Sequence, residues 1–287
     1  MARPRIRIDE TTVKRLVAEG RGKGTGKDYK PLLTVQDVPT DGKAHRDKGW
    51  KTDRVHHFLS TGEHDCFNIL EWSPLVTDIR EQYPLLSSDD TLEETLTIAR
   101  ECEVDHPAIP DPNNPRKRPL IPIVMTTDFL ITLLIDGKIV EHARTVKLSK
   151  DLSSTRTLEK LEIERRYWEK RGVDWAIITE CDIPLVISRN VKMIHEYWHL
   201  PTYVPAADIY DIATLLTELL TKEHPQPLRH LTAASDKQLG FMGTKRGMSL
   251  SVAYYLVATR QWRIDMSIPI NTDNPLAFLG ANLYVTS

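Results

Sequence analysis

Asp128 stands in IVMTTDFLITLLI, a run otherwise made of apolar residues and threonine. Aspartate is disfavoured in strands, and a carboxylate buried without a partner is costly. Something positive must therefore sit beside it, a basic side chain or a metal ion, unless it is a strand-end carboxylate reaching solvent. Thr145-Val146-Lys147 closes the next β-rich run. Because side chains alternate along a strand, Thr145 and Lys147 project on one face and Val146 enters the core. Lys147 also reads as a partly buried lysine whose ammonium reaches the surface. Glu63 is the third candidate. In Ser60-Thr61-Gly62-Glu63 it has capping-box spacing, which explains it locally, yet a first-turn glutamate can also point into a site and complete an acidic pair. Two carboxylates and an ammonium suit a hard cation set against a phosphate. Mg²⁺ takes such oxygen ligands, keeps several waters and accepts a substrate phosphate oxygen as a further ligand.

The elements that must position these groups follow from local patterns. Asp136-Gly137 joins the two β-rich runs of 121–149 as a hairpin and folds Lys147 back beside Asp128. An aspartate on one strand and a lysine on its neighbour is the arrangement of PD-(D/E)xK nucleases, although many hairpins would match so short a pattern. Helices are predicted over 11–19, capped by Thr11 or Thr12 and stopped by Gly20, and over 61–72, burying Phe67, Leu70 and Trp72. Further helices are predicted over 91–104 and over 155–172, the last stopped by Gly172. Residues 76–86 read as a strand, 105–119 as a proline-rich loop and 173–180 as a compact buried strand. The result is a mixed α/β core. Beyond Asp182, helices are predicted over 185–197, 206–222, 228–235 and 249–260, followed by a small hairpin within 262–272. That order is the winged-helix pattern; plain helical docking units share it. The expected domains are 1–182, a mixed sheet flanked by helices, and 183–287, mainly helical.

Composition removes several functions. The 287 residues are 40% hydrophobic and 27% charged, which excludes collagen-like and wholly disordered chains. No run approaches the ~18 apolar residues of a membrane span, and the basic start MARPRIRIDETTV lacks the apolar core of a signal peptide. Cys66, Cys102 and Cys181 form no CxxC pair, so neither a disulfide framework nor a zinc ribbon fits, and a reduced, cytoplasmic protein is expected. The glycine- and lysine-rich stretch 20–31 suits a mobile loop lying against phosphates. It is not a P-loop, because Gly26-Lys27 is followed by Asp28. HExxH and GxSxG are absent, so zinc-protease and serine-hydrolase chemistry have no support. Residues 1–60 hold 14 Lys and Arg against 8 Asp and Glu, and the remainder hold 24 against 32. A basic arm on an acidic body suggests an anionic partner, nucleic acid above all; a solvated surface is the plain alternative.

Several stretches are more specific: EGRGKGTGKDYKPLLTVQDVP, RVHHFLS, LEW, DIREQYPLL, HP, TDF and RTLEKLEIERRYW. On these residues the chain, from about 15 to 180, resembles the TnsA endonuclease family. These are the nuclease subunits of heteromeric TnsA/TnsB bacterial cut-and-paste transposases, in the PD-(D/E)xK superfamily. The C-terminal third is similar in length and pattern only. The resemblance implies a restriction-endonuclease-like domain followed by a winged-helix domain. It implies Glu63, Asp128 and Lys147 as catalytic residues. Glu63, Asp128, the Val146 carbonyl and Thr145 would hold one or two Mg²⁺ ions, with Mn²⁺ substituting. One departure stands out: the family's Gln-Val-Lys is Thr145-Val146-Lys147 here, and threonine reaches a metal only through its hydroxyl or a bridging water. The implied activity is cleavage near the 5′ ends of a transposon while TnsB cuts and joins the 3′ ends. The implied partners are transposon-end double-stranded DNA, the TnsB recombinase and the TnsC AAA+ ATPase, with no membrane. Lys23, Lys27, Arg46 and Lys51 would engage phosphates without reading sequence. Two alternatives stand beside this one. A catalytically silent scaffold linking TnsB to TnsC has Thr145 as its sequence support. A winged-helix repressor leaves the Asp128 strand unexplained.

Overall fold

The computed structural model describes residues 9–38, 44–111, 119–222, 225–240 and 246–283. Arg3, Arg5 and Arg7 of the basic arm and most of the proline-rich loop lie outside these. The chain divides into two compact units, 1–183 and 184–287. In the first unit the order is α1 (Glu10–Ala18), β1 (His45–Lys48), β2 (Val55–Phe58), α2 (Thr61–Trp72) and β3 (Val76–Pro84). There follow α3 (Glu93–Glu101), β4 (Ala108–Pro110), β5 (Leu120–Pro122), β6 (Thr126–Ile135), β7 (Lys138–Val146), α4 (Thr155–Glu169) and β8 (Asp174–Ile178).

The central sheet has the order β3-β6-β7-β8, antiparallel except for the β7–β8 pair. Its pivot is the Asp136-Gly137 turn, where both residues take positive φ (49° and 75°) and Ile135 faces Lys138. Two left-handed residues give the turn whose twist matches that of the strands it joins. Alternation along β6 sorts the core into two layers. Leu130 packs with Ala143 and with Ile163, Tyr167 and Trp168 of α4, whereas Phe129 and Ile131 pack with Cys66 and Phe67 of α2. The sheet is thus covered by α4 on one face and α2 on the other, a mixed α/β layer structure.

Three local expectations change. Asp9, not Thr11 or Thr12, caps α1, its Oδ1 accepting the Thr12 N–H at 2.9 Å; carboxylates cap as well as hydroxyls do. Strand β8 is half-buried because it lies at the sheet edge, which its apolar pattern does not reveal. The glycine-rich segment is fastened down. Tyr29 is buried with its hydroxyl on the Glu81 carbonyl, and the Gly26 amide donates to Asp78. Gly22 at φ 74° leaves no room for a side chain, since a Cβ there would lie 2.5 Å from Pro84 Cγ. Beneath the segment, Arg54 donates twice to Glu81 (2.8 and 2.6 Å) and once to the Gly26 carbonyl. Burial alone would raise the Glu81 carboxyl, but His56 and Arg54 outweigh it and hold its pKa far below the usual range.

The second unit contains α5 (Leu185–Ile194), a 3₁₀ run (His195–Thr202), α6 (Ala206–Lys222), α7 (Leu228–Gln238), α8 (Met248–Ala258), β9 (Trp262–Ile264) and β10 (Phe278–Ala281). The ribbon is antiparallel, but Ile264 pairs with Phe278, so the partner strand lies beyond the expected 262–272 hairpin. The segment after β9 is pinned instead by Asn190, which donates to the Met266 and Ile268 carbonyls and accepts from Ile270. A helix that reads DNA must offer a face to a groove. The helix preceding the ribbon, α8, has no exposed residue and is capped by Asp236, which accepts from Gly247 and Ser249. It is the hub of this unit, and the winged-helix expectation gains no reading surface from it.

Removing one partner of a buried ion pair leaves the other short of compensation, here with His56 and the His57 N–H remaining on Glu81. Arg54→Ala should lower the unfolding free energy by about 3–5 kcal/mol in urea titration. A loss below about 1 kcal/mol would show that His56 and the His57 N–H suffice to hold Glu81 without Arg54.

Candidate active site

The first turn of α2 and the ends of β6 and β7 meet at one place. Ser60 caps α2, its Oγ accepting the Glu63 N–H at 3.2 Å. The Glu63 carboxylate in turn accepts the Ser60 hydroxyl at 2.9 Å, the Leu59 N–H at 3.0 Å and the Gln82 amide at 3.3 Å. The capping role is real, and it fixes the carboxylate without turning it to solvent: Glu63 is 7% exposed. Gly62 lets the turn approach β7, since a Cβ there would lie 3.2 Å from Val146 Cγ1.

Asp128, 9% exposed, accepts the Val146 N–H at 2.7 Å and the Lys147 ammonium at 3.1 Å, both on Oδ2. The same ammonium donates to the Val146 carbonyl at 2.9 Å, and the Lys147 N–H is held by Ile178 of β8. Thr145 does project on the face of Lys147, toward α4, where its hydroxyl donates to Glu164. Thr127 donates to the same Glu164 oxygen at 2.7 Å and receives the Trp168 indole N–H at 2.6 Å. A cleft of about 310 Å³ lined by Met125, Thr126, Lys147, Lys160, Leu161 and Glu164, among others, opens beside this cluster.

Burial and the nearby Asp128 charge push the Glu63 carboxyl up to about 7. The same two causes, partly offset by the two threonine hydroxyls, push Glu164 up to about 7. Burial would lower the Lys147 ammonium, but Asp128, Glu164 and Glu63 outweigh it and its pKa lies above the ordinary lysine value. Among the described residues no group of three or more His, Cys, Asp or Glu is arranged around a common metal position. The available donors are the Glu63 carboxylate, the Asp128 carboxylate whose charge it feels, and the Val146 carbonyl. That set fits Mg²⁺, which is bound through one or two carboxylates and completed by water and substrate oxygens.

Of the residues expected to meet DNA, Lys27 and Arg46 are exposed. Lys23 pairs with Asp90 at 2.7 Å, and Lys51 donates to the Ser73 carbonyl just past α2. Sequence reasoning missed Glu164 and Gln82. Glu164 carried a usable signal: with Leu161 and Trp168 it forms an i, i+3, i+7 stripe, and a carboxylate on a core-facing stripe demands a partner.

A family model described as TnsA-like endonuclease N terminal matches residues 73–180, and one described as TnsA endonuclease C terminal matches 182–266. Transposon Tn7 transposition protein TnsA of Escherichia coli is 43% identical over 195 residues. The chain belongs to the TnsA-like endonuclease family. The alignment with the Escherichia coli TnsA covers 68% of this chain and 66% of that protein, just short of two thirds of the relative. The C-terminal third is thus matched as TnsA-like in its own right. Asp128, Lys147 and Glu164 lie within the N-terminal TnsA-like match, and Glu63 precedes it.

A carboxyl whose pKa is higher folded than unfolded favours folding while protonated, and that stability is lost as pH rises from about 4.5 to about 7. In metal-free buffer Glu164→Gln should therefore gain on the parent between pH 5 and pH 8, by roughly 3 kcal/mol at most. Parallel melting curves for variant and parent across this range would contradict the assignment.

Proposed function

We propose that this chain is the Mg²⁺-dependent DNA endonuclease subunit of a cut-and-paste transposase, hydrolysing phosphodiesters near the transposon 5′ ends in the cytoplasm. The observation that supports it is that Glu63 and Asp128 are both buried and near enough for the Asp128 charge to raise the Glu63 carboxyl, beside an ammonium that touches Asp128. Glu63, Asp128 and the Val146 carbonyl would hold the ion. When bound, Mg²⁺ supplies neutralisation of the phosphate oxygens and a more acidic water. Lys147, whose ammonium contacts Asp128, would steady negative charge gathering on phosphorus. The Val146 amide and the two threonines bonded to Glu164 keep Asp128 and the end of β7 in register. Thr145 is committed to Glu164, so its part in a second metal position is at most through a bridging water.

DNA would be held by charge without sequence reading. Lys27 and Arg46 are exposed for that purpose, and Lys23 can exchange a surface ion pair of small worth for a phosphate. Lys51 is the weakest of the four, because its ammonium already serves the end of α2. Cut position and timing would come from the assembly with the TnsB recombinase and the TnsC ATPase, as the resemblance to TnsA implies.

In a reconstituted excision reaction, Asp128→Ala should abolish 5′-end cutting while leaving 3′-end cutting and assembly intact. Persistent 5′ cutting would sink the site. Neutralising Lys23, Lys27 and Arg46 together should weaken DNA binding and flatten its salt dependence by about 2–3 in log–log slope, and an unchanged slope would remove them from the interface. A melt unmoved by Mg²⁺, with no cutting in the full assembly, would support the silent scaffold instead.

A further inference from the structure

Strand β3 carries an irregularity at the level of the site. Glu81 pairs with Phe129 and Tyr83 with Thr127, and between them Gln82 takes φ 50°. L residues adopt this left-handed conformation at a cost, and it occurs in folded proteins where the surroundings demand it. Two things come of it. The Gln82 carbonyl accepts the Leu32 N–H at 3.3 Å, and the side chain, 2% exposed, enters the site. There its amide nitrogen donates to Glu63 Oε2 at 3.3 Å and its amide oxygen accepts the Thr126 hydroxyl at 3.2 Å.

The backbone requirement alone does not call for glutamine. Asparagine tolerates the left-handed region better and would make the same carbonyl bond to Leu32, but its side chain is one methylene shorter. What the longer side chain adds is reach to Glu63. Leu59 and Ser60 contact that carboxylate from the cap of α2; Gln82 contacts it from the sheet, the element that carries Asp128.

The geometry points to Gln82 as a positioning residue that holds the Glu63 carboxylate toward Asp128 and so sets the affinity of the pair for a divalent cation. This rests on the nuclease reading. Gln82 touches no reacting atom; it acts through Glu63, as outer partners orient metal ligands elsewhere.

Gln82→Asn separates the two jobs. Without metal it should melt at or above the parent temperature, because its backbone is less strained. The Mg²⁺ concentration giving half of the metal-linked rise in melting temperature should increase about 10-fold or more. Cutting in the assembled reaction should fall at low Mg²⁺ and recover at high Mg²⁺, which a merely structural defect would not do. Gln82→Gly, which keeps the backbone and removes the reach entirely, should show the same dissociation. Parental Mg²⁺ dependence in both variants overturns the proposal, as does loss of metal-free stability in step with loss of metal response. A parent that shows no Mg²⁺ response overturns the nuclease reading, and this inference falls with it.

Discussion

Two carboxylates that repel each other are kept out of water at the end of one sheet, and most of the first unit is arranged to make that tolerable. Asp128 is offset by an ammonium and a backbone amide on the neighbouring strand. Glu63 receives donors from its own helix cap and from β3. Burial and mutual repulsion still leave the Glu63 proton hard to remove. Like charges held near each other by the fold would favour a bound cation, and that is the physical argument behind the proposed metal-dependent function.

The architecture explains how the charges are kept there. The Asp136-Gly137 turn sets the register of β6 against β7, and through it the position of Lys147 relative to Asp128. Helix α4 closes one side with Glu164, whose hydrogen bonds to Thr127 and Thr145 tie the same two strands a second time. Helix α2 closes the other and brings its first turn close enough to touch Val146. Further out, the Arg54–Glu81 pair fastens the glycine-rich segment to β3, next to the residue that reaches Glu63.

Features encoded by neighbouring residues were legible in the chain. The Ser60 cap and full span of α2, the Asp136-Gly137 turn, the span of α6, and the common face of Thr145 and Lys147 all follow from local chemistry. Features encoded by distance were not. The half-buried state of β8 depends on its place at the sheet edge, and the partner of β9 lies beyond the hairpin that local alternation suggests. The fastening of residues 20–31 depends on Tyr29 and Arg54 meeting Glu81 across the fold. Within the site, the three candidate residues could be named but their approach could not be derived, because register is a tertiary property. Gln82 gave no sequence signal at all, since its strained backbone appears only once β3 is paired.

The most direct measurement is anomalous diffraction from crystals soaked in Mn²⁺. An ion bridging the carboxylates of Glu63 and Asp128, within reach of the Val146 carbonyl, is what the account predicts. Mn²⁺ bound only elsewhere at saturating concentration, with the two carboxylates unmoved and unliganded, would contradict it.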